Sequence, residues 1–250
     1  MAQMNGKTAV VTGASTGIGR AIAQRFADDG ARVYLTGRRS AELELAAKEI
    51  GPNAVAVQAD VSKAEDLDRL FDVIRADGRV LDTVVANAGL GELARLEDAT
   101  AEQFARTFDV NVLGTLMTVQ KALPLLAPTA TVILLSSSTT SLGSEGMGLY
   151  AASKAAIRSL GRTFAGELAS RGVRVNVITP GPVETPGIAG LAANLGQDTE
   201  QFHRLLAAEL PLKRMGRPEE IAAMAAFLAS DESSFATGAE FAVDGGQVQV

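Results

Sequence analysis

Tyr150 and Lys154 stand four residues apart, and the alanines around them, Ala151, Ala152, Ala155 and Ala156, favour a helix. That spacing puts both side chains on one helical face, where they can share a site. A phenol near pKa 10 is a poor base at neutral pH, but a neighbouring ammonium favours phenolate and should draw that value down. Such a pair can pass a proton to or from a substrate oxygen. Upstream lie three adjacent hydroxyls, Ser136, Ser137 and Ser138; a serine hydroxyl can hold the same oxygen and stabilise charge that develops on it. Taken alone, a tyrosine and lysine at this spacing would more often be a half-exposed helix pair. The only other tyrosine, Tyr34, falls in an apolar run and reads as core.

A second constellation lies near the start of the chain, in Thr12-Gly13-Ala14-Ser15-Thr16-Gly17-Ile18-Gly19. Glycine permits positive φ and leaves room for a ligand's phosphates beside the backbone, and the free N–H groups of a following helix attract an anion. The spacing G-x-x-x-G-x-G departs from the usual dinucleotide fingerprint. Its place after a first strand and before a first helix nevertheless makes a pyrophosphate site the natural reading, over a glycine turn used only for packing.

The elements that must position these groups follow from the hydrophobic pattern. Runs rich in Val, Ile and Leu predict strands at Thr8–Thr12, Arg32–Thr36, Ala54–Gln58, Thr83–Ala86, Thr131–Ser136, Arg174–Ile178 and Glu240–Val243. Helical periodicity fills the intervals, beginning with Ile18, Ala21, Ile22 and Phe26, and Gly30 is placed to end that helix. The alternation describes an α/β domain, and nothing marks a boundary within the 250 residues. Ser62 with Glu65 and Thr100 with Gln103 fit capping boxes, and Pro218 followed by Glu219 and Glu220 fits another helix start. The stretch 181–209 fits the rhythm poorly and is read as a mobile lid over the site, with an ordinary surface helix pair as the alternative.

Composition narrows the function. Apolar residues at 47% and charged residues at 21% allow a substantial core without disulfides or structural metal. A net charge of -6 with scattered lysines and arginines offers no basic stripe for nucleic acid. The absence of cysteine removes thiol nucleophiles and thiolate metal sites. His203, the single histidine, has no partner cluster and is expected to face solvent, so no metal site can be argued. Asp28, Asp29, Glu97 and Asp98 read as solvated helix ends or loops. Met1 to Lys7 lack the basic start and apolar core of a signal peptide, and no run approaches a membrane span, so a cytoplasmic location is the expectation.

These residues together resemble the short-chain dehydrogenase/reductase family over nearly the whole chain. Thr12 to Gly19 resembles its T-G-x-x-x-G-I-G loop, Asn87-Ala88-Gly89 its N-A-G after the fourth strand, Tyr150 to Lys154 its Y-x-x-x-K, and Pro180-Gly181 its P-G after the sixth strand. The resemblance implies a doubly wound Rossmann-type fold with a seven-stranded parallel sheet, helices on both faces, and a homotetramer or homodimer. It implies a catalytic tetrad of Asn111, a serine, Tyr150 and Lys154. The family's interval before the tyrosine selects Ser137, and a one-residue shift at the strand end would select Ser138 instead. It also implies that Tyr150 protonates the forming alkoxide or deprotonates the alcohol, that Lys154 contacts the nicotinamide ribose, and that Asn111 holds a water feeding protons to the lysine. Glu92 and Glu145 fall in segments that border the family's substrate pocket. Gly89, Leu90, Leu142, Met147, Val183 and Ile188 suggest that this pocket is apolar.

The cofactor contacts implied are Gly13, Ser15, Thr16, Gly17, Ile18 and Gly19 around the pyrophosphate and Asp60 with Val61 near the adenine. Asn87, Ala88 and Gly89, and then Pro180, Gly181, Val183 and Thr185, follow toward the nicotinamide, with Tyr150 and Lys154 on its ribose. NADP(H) is preferred, with NAD(H) a second cofactor. An acid at the end of the second strand would hold the adenosine ribose hydroxyls and repel a 2′-phosphate. Thr36-Gly37-Arg38-Arg39 instead places glycine where NAD-selective members carry aspartate, followed by arginines able to grip a phosphate. The expected activity is hydride transfer between NAD(P)(H) and a small alcohol or ketone. A nucleotide-dependent epimerase or dehydratase and a non-catalytic nucleotide sensor are the alternatives. No nucleic acid or membrane partner is expected.

Overall fold

The computed structural model describes residues 4–250; the reading of the first three residues as part of a leaderless start lies outside the described residues. Seven parallel strands form one sheet: β1 Thr8–Thr12, β2 Arg32–Gly37, β3 Ala54–Gln58, β4 Leu81–Ala86, β5 Leu126–Leu135, β6 Arg174–Pro180 and β7 Glu240–Val243. Their order is β3-β2-β1-β4-β5-β6-β7. Every strand expected from the sequence is present. β4 and β5 begin earlier than the apolar runs suggest, because their first residues pair through a register shift between Leu81 and Thr83. The start of β5 includes the exposed Pro128 and Thr129, which break the hydrophobic signal.

Alternation along the strands divides the core. Ala9, Val11, Val33, Leu35, Val85 and Ile133 face one side, where they meet α1 (Gly17–Asp28), α2 (Ser40–Ile50) and α9 (Pro218–Ala229). Val10, Tyr34, Val84, Val132, Leu134 and Val177 face the other side. There they are covered by α3 (Ala64–Ala76), α5 (Gly114–Ala122) and α6 (Gly148–Leu168). Both faces of a parallel sheet are thus buried, as its crossover helices require. α6 sits close to the sheet: a Cβ at Gly161 would lie 2.5 Å from Val177 Cγ2. Tyr34 is fully buried, with its hydroxyl donating to Asp77 Oδ2 at 2.6 Å.

The helix starts divide. Thr100 and Gln103 form the expected capping box on α4 (Ala101–Phe108), and Pro218 opens α9. Ser62 does not cap α3, whose N-cap is Lys63. Asp60 Oδ1 accepts from both the Ser62 N–H, at 3.0 Å, and the Ser62 hydroxyl, at 2.7 Å, which holds the serine in the turn before the helix. After β6 the chain forms two helices, α7 (Pro186–Asn194) and α8 (Thr199–Glu209), capped by Thr185 and Asp198. His203, on α8, is half-buried rather than solvent-facing, and its Nε2 is buried without a hydrogen-bond partner. Among the described residues no helix is long and apolar enough to cross a membrane, and no acidic, histidine or cysteine cluster could hold a metal ion.

Candidate active site

In the strand order, β1 lies between β2 and β4, so the chain leaves β1 in one direction and returns on its other side. The carboxyl ends of strands flanking such a reversal open a crevice suited to a ligand. Thr12, the last residue of β1, ties the two strand ends together. Its Oγ1 accepts from the N–H groups of Asn87 and Ala88, each at 3.0 Å, and Asn87 Nδ2 donates back to the carbonyls of Thr12 and Gly13 at 2.8 and 3.2 Å. The glycines serve this packing. A Cβ at Gly13 would come within 2.8 Å of Ala88 Cα, and one at Gly19 would collide with Asn87 Nδ2 and the Gly13 carbonyl. Gly13 and Gly17 also take positive φ, 65° and 59°. Two of the three glycines are therefore excluded from larger residues by the protein's own atoms, rather than by phosphate room alone.

The helix that follows is left open to an anion. Thr16 stands at the N-cap of α1 but makes no side-chain cap hydrogen bond, and the first turn holds no acidic residue. Its orphan N–H groups and dipole therefore face the crevice uncompensated. Ser15 reaches toward Gly37 at the end of β2, its Oγ 3.5 Å from where a Cβ would be. Beyond Gly37, Arg38 is exposed and, among the described residues, no hydrogen bond or ion pair engages its guanidinium, whereas Arg39 pairs with Glu42 at 3.3 Å. Asp60 accepts from Ser62, and Val61 is buried against α5, where a Cβ at Gly114 would meet its Cγ2 at 2.7 Å. Thr185 lies against the glycine loop, its Cγ2 3.3 Å from a Cβ position at Gly17. Gly181 packs on Asp244, and Val183 is buried and bridged to Gly216.

Across the crevice, β5 ends at Ser136 to Ser138 and α6 presents Tyr150 and Lys154. The three serines separate by partner. Ser136 donates to the Lys154 carbonyl at 3.0 Å, and Ser138 is buried and donates to Gln247 Oε1 at 2.7 Å. Ser137 is half-buried and its side chain lies beside the Tyr150 phenol. Burial pushes the phenol's pKa up, and the Ser137 hydroxyl pulls it part of the way back. The downward shift expected from Lys154 is not found: the phenol is raised by burial, and only Ser137 opposes that rise. The Lys154 ammonium is 5.8 Å from the ring centre and donates to the Leu135 carbonyl at 2.8 Å. Burial lowers the lysine itself to about 8.

Asn111 is fully buried in a π-helical turn between α4 and α5. Its Oδ1 accepts from the Leu90 N–H at 2.7 Å, and its Nδ2 donates to the Leu90 carbonyl at 2.9 Å and to Ser153 Oγ at 2.8 Å. Both amide donors are thus taken by protein, and the side chain struts the N-A-G loop against α6. Gly89 lies between the two polar groups, a Cβ there falling 3.3 Å from Lys154 Nζ and 3.5 Å from Asn111 Oδ1. Gly91 abuts Tyr150, with a Cβ position 3.7 Å from its ring carbons.

The two acids expected near the pocket are held in ion pairs: Glu92 receives two bonds from Arg106, and Glu145 pairs with Arg95 at 2.7 Å. A cavity of ≈ 460 Å³ lies beside that second pair, lined by Ala94, Leu96, Gly146 and Leu149 among others. Another, of ≈ 570 Å³, flanks the start of α1 at Thr16, Gly17 and Glu184. Neither is lined by Tyr150 or Ser137, so the hollows alone do not locate the chemistry. Sequence reasoning missed Thr139 and Gln247, the direct partners of Ser137 and Ser138. Gln247 is remote in sequence and sends no local signal, while Thr139 could have been found as a hydroxyl two residues past a candidate serine, the spacing of a serine turn.

Known proteins resemble the chain over nearly its whole length. Residues 13–247 match a family model described as Enoyl-(Acyl carrier protein) reductase. The oxidoreductase asL5 of Sarocladium schorii is 47% identical over 99% of this chain and 98% of its own. An NADP-dependent (R)-specific alcohol dehydrogenase of Lentilactobacillus kefiri is 37% identical over 98% of this chain and 97% of its own. The crystal structure of a short-chain type dehydrogenase/reductase from Mycobacterium marinum superposes with a TM-score of 0.91 at 33% identity, covering 100% of this chain and 98% of that one. The chain belongs to the short-chain dehydrogenase/reductase family and is an oxidoreductase of that family, whose members use NAD(P)(H).

Proposed function

We propose that the protein interconverts a secondary alcohol and a ketone using a nicotinamide cofactor, with NADP(H) preferred. The observation that carries this reading is the convergence of three groups: the Ser137 side chain beside the Tyr150 phenol, whose pKa it lowers, and the Lys154 ammonium 5.8 Å from the ring. The uncapped α1 start, free of acidic residues, fits a pyrophosphate. Gly13 to Gly19 would hold that group, Asp60 and Val61 the adenine end, and Asn87 to Gly89 with Pro180, Gly181, Val183 and Thr185 the nicotinamide end. The nicotinamide, when bound, supplies or accepts the hydride.

In reduction, Ser137 donates a hydrogen bond to the carbonyl oxygen and fixes its position, and Tyr150 Oη gives that oxygen a proton as negative charge develops. Lys154, charged at neutral pH with its value near 8, favours the phenolate left behind. In oxidation, Tyr150 takes the alcohol proton by the same path. A donor and an acid converging on one oxygen suit chemistry at a C–O bond. α7 and α8 form the lid over this centre. Phe104 on α4, Leu113 at the end of the π-helical turn and Leu116 on α5, all apolar and exposed, support a homotetramer, and the cell location is cytoplasmic.

Oxidation of NADPH, followed by absorbance with a panel of ketones, tests the activity. Turnover supports it, and nucleotide binding without turnover of any ketone would favour a nucleotide sensor. The cofactor preference rests on Arg38, whose exposed guanidinium has no partner among the described residues and would take a 2′-phosphate. Wild type should favour NADPH in kcat/KM, and Arg38→Ala should lose about ten- to a hundredfold of that preference, the worth of a charge-assisted hydrogen bond. A wild type favouring NADH, or unchanged preference in the variant, contradicts the assignment.

A further inference from the structure

The three serines at the end of β5 differ in where their single protons go. Ser136 gives its proton to the Lys154 carbonyl and Ser138 gives its proton to Gln247 Oε1. Ser137 is different because both of its lone pairs are occupied. The Thr139 N–H approaches its Oγ at 3.3 Å and the Thr139 hydroxyl at 3.0 Å. A backbone N–H can only donate, and Thr139 Oγ1 makes no other hydrogen bond among the described residues. With the Thr139 hydroxyl as the donor, Ser137 Oγ accepts at both lone pairs and its single proton is left to donate outward. On that side lies the Tyr150 phenol, whose pKa the Ser137 side chain lowers. The Thr140 hydroxyl donates to the Ser137 carbonyl at 2.9 Å and fixes the backbone from which this geometry is built.

We propose that Thr139 is a positioning residue that commits the Ser137 hydroxyl to donating toward the reacting oxygen, a role that rests on the assignment of Ser137 and Tyr150 above. The chain runs Thr139 to Ser137 to Tyr150, and each hydroxyl that accepts a bond becomes a better donor in turn. Without Thr139 Oγ1, the Ser137 proton is free to turn away from the phenol and from the substrate oxygen. Thr139 touches neither of those itself, and Ser137 is its only route to the chemistry.

Thr139→Val removes the donor at nearly constant volume, and Thr139→Ser retains it. With NADPH and the ketone turned over fastest in the panel, Thr139→Val should lower kcat about three- to tenfold, the range of one hydrogen bond. KM should stay within about twofold, and Thr139→Ser should restore kcat. In a Ser137→Ala background, Thr139→Val should have no further effect, because the route through the serine is gone.

A readout independent of turnover is the ultraviolet titration of tyrosinate. The chain has no tryptophan and only two tyrosines, and Tyr34 is pushed up to about 12. The Tyr150 transition should move upward in Thr139→Val and not in Thr139→Ser. A silent Thr139→Val, where Ser137→Ala costs about a hundredfold or more, overturns the proposal and leaves the Ser137 assignment standing. Equal losses from Thr139→Val with and without Ser137, or a rise in KM alone, overturn it as well. A silent Ser137→Ala overturns the assignment of Ser137 itself. Should Thr139→Val fail to fold, Thr139→Ala carries the same expectations.

Discussion

On the β1–β4 side of the crevice, Thr12, Asn87 and the glycines lock one another through backbone groups, and a single added carbon at position 19 meets the Asn87 amide and the Gly13 carbonyl. On the β5–α6 side, the work is done by side-chain hydroxyls on a short turn, and the loops above them are bridged by exposed ion pairs such as Arg95–Glu145 and Arg106–Glu92. Under the proposed function, the first wall would bind the nucleotide through main-chain N–H groups that cannot be substituted away, and so must hold its shape by packing. The second would act on a substrate through groups that substitution can remove one at a time. The contrast implies that changes in the nucleotide wall cost fold and binding together, whereas changes in the catalytic wall cost rate and leave the fold alone.

The largest effect should come from Gly19→Ala. The added Cβ meets backbone and a tethered amide, and overpacking with no room to yield costs about 3 kcal/mol. Urea denaturation should show that loss, and nucleotide titration should show binding weakened in parallel. Wild-type values in both would break the comparison on its nucleotide side. Ser137→Ala should leave denaturation within about 0.5 kcal/mol of wild type, as a half-exposed site away from the core allows. It should slow turnover on the order of 10² to 10³. If Ser138→Ala proves the slower variant, Ser138 is the substrate serine and the partner analysis is wrong by one residue. The smallest effect should follow Arg95→Ala. Its partner contact is 60% and 73% exposed on the two sides, and such pairs contribute about 0 to 1 kcal/mol. A loss in stability well above about 1 kcal/mol would show that the substrate wall is braced by its surface charges after all.

The same contrast explains what the sequence reveals. The seven strands and the glycine loop are legible because parallel strands are continuous apolar runs and glycine has few substitutes where φ is positive. Tyr150 and Lys154 are legible because four residues is one turn of helix. The lone histidine is not, since residue type says nothing about which face of α8 packs inward. Nor is the direction of the Tyr150 shift: spacing brings the lysine near, but the Leu135 carbonyl that holds the ammonium and the burial that raises the phenol belong to the tertiary structure. Ser62 reads as a helix cap until the tertiary structure shows it tied back to Asp60 and the helix starting one residue later, after Lys63. The choice among three adjacent serines depends on Gln247, more than a hundred residues away along the chain, and on Thr139 close by.

The central claim, that Tyr150 handles the substrate proton and has little part in holding the nucleotide, is tested most directly by Tyr150→Phe. Turnover with NADPH and a competent ketone should be nearly abolished while the dissociation constant for NADPH stays within about threefold of wild type, because the phenol acts in the transition state and not in cofactor binding. A rate retained within about tenfold of wild type would contradict the account.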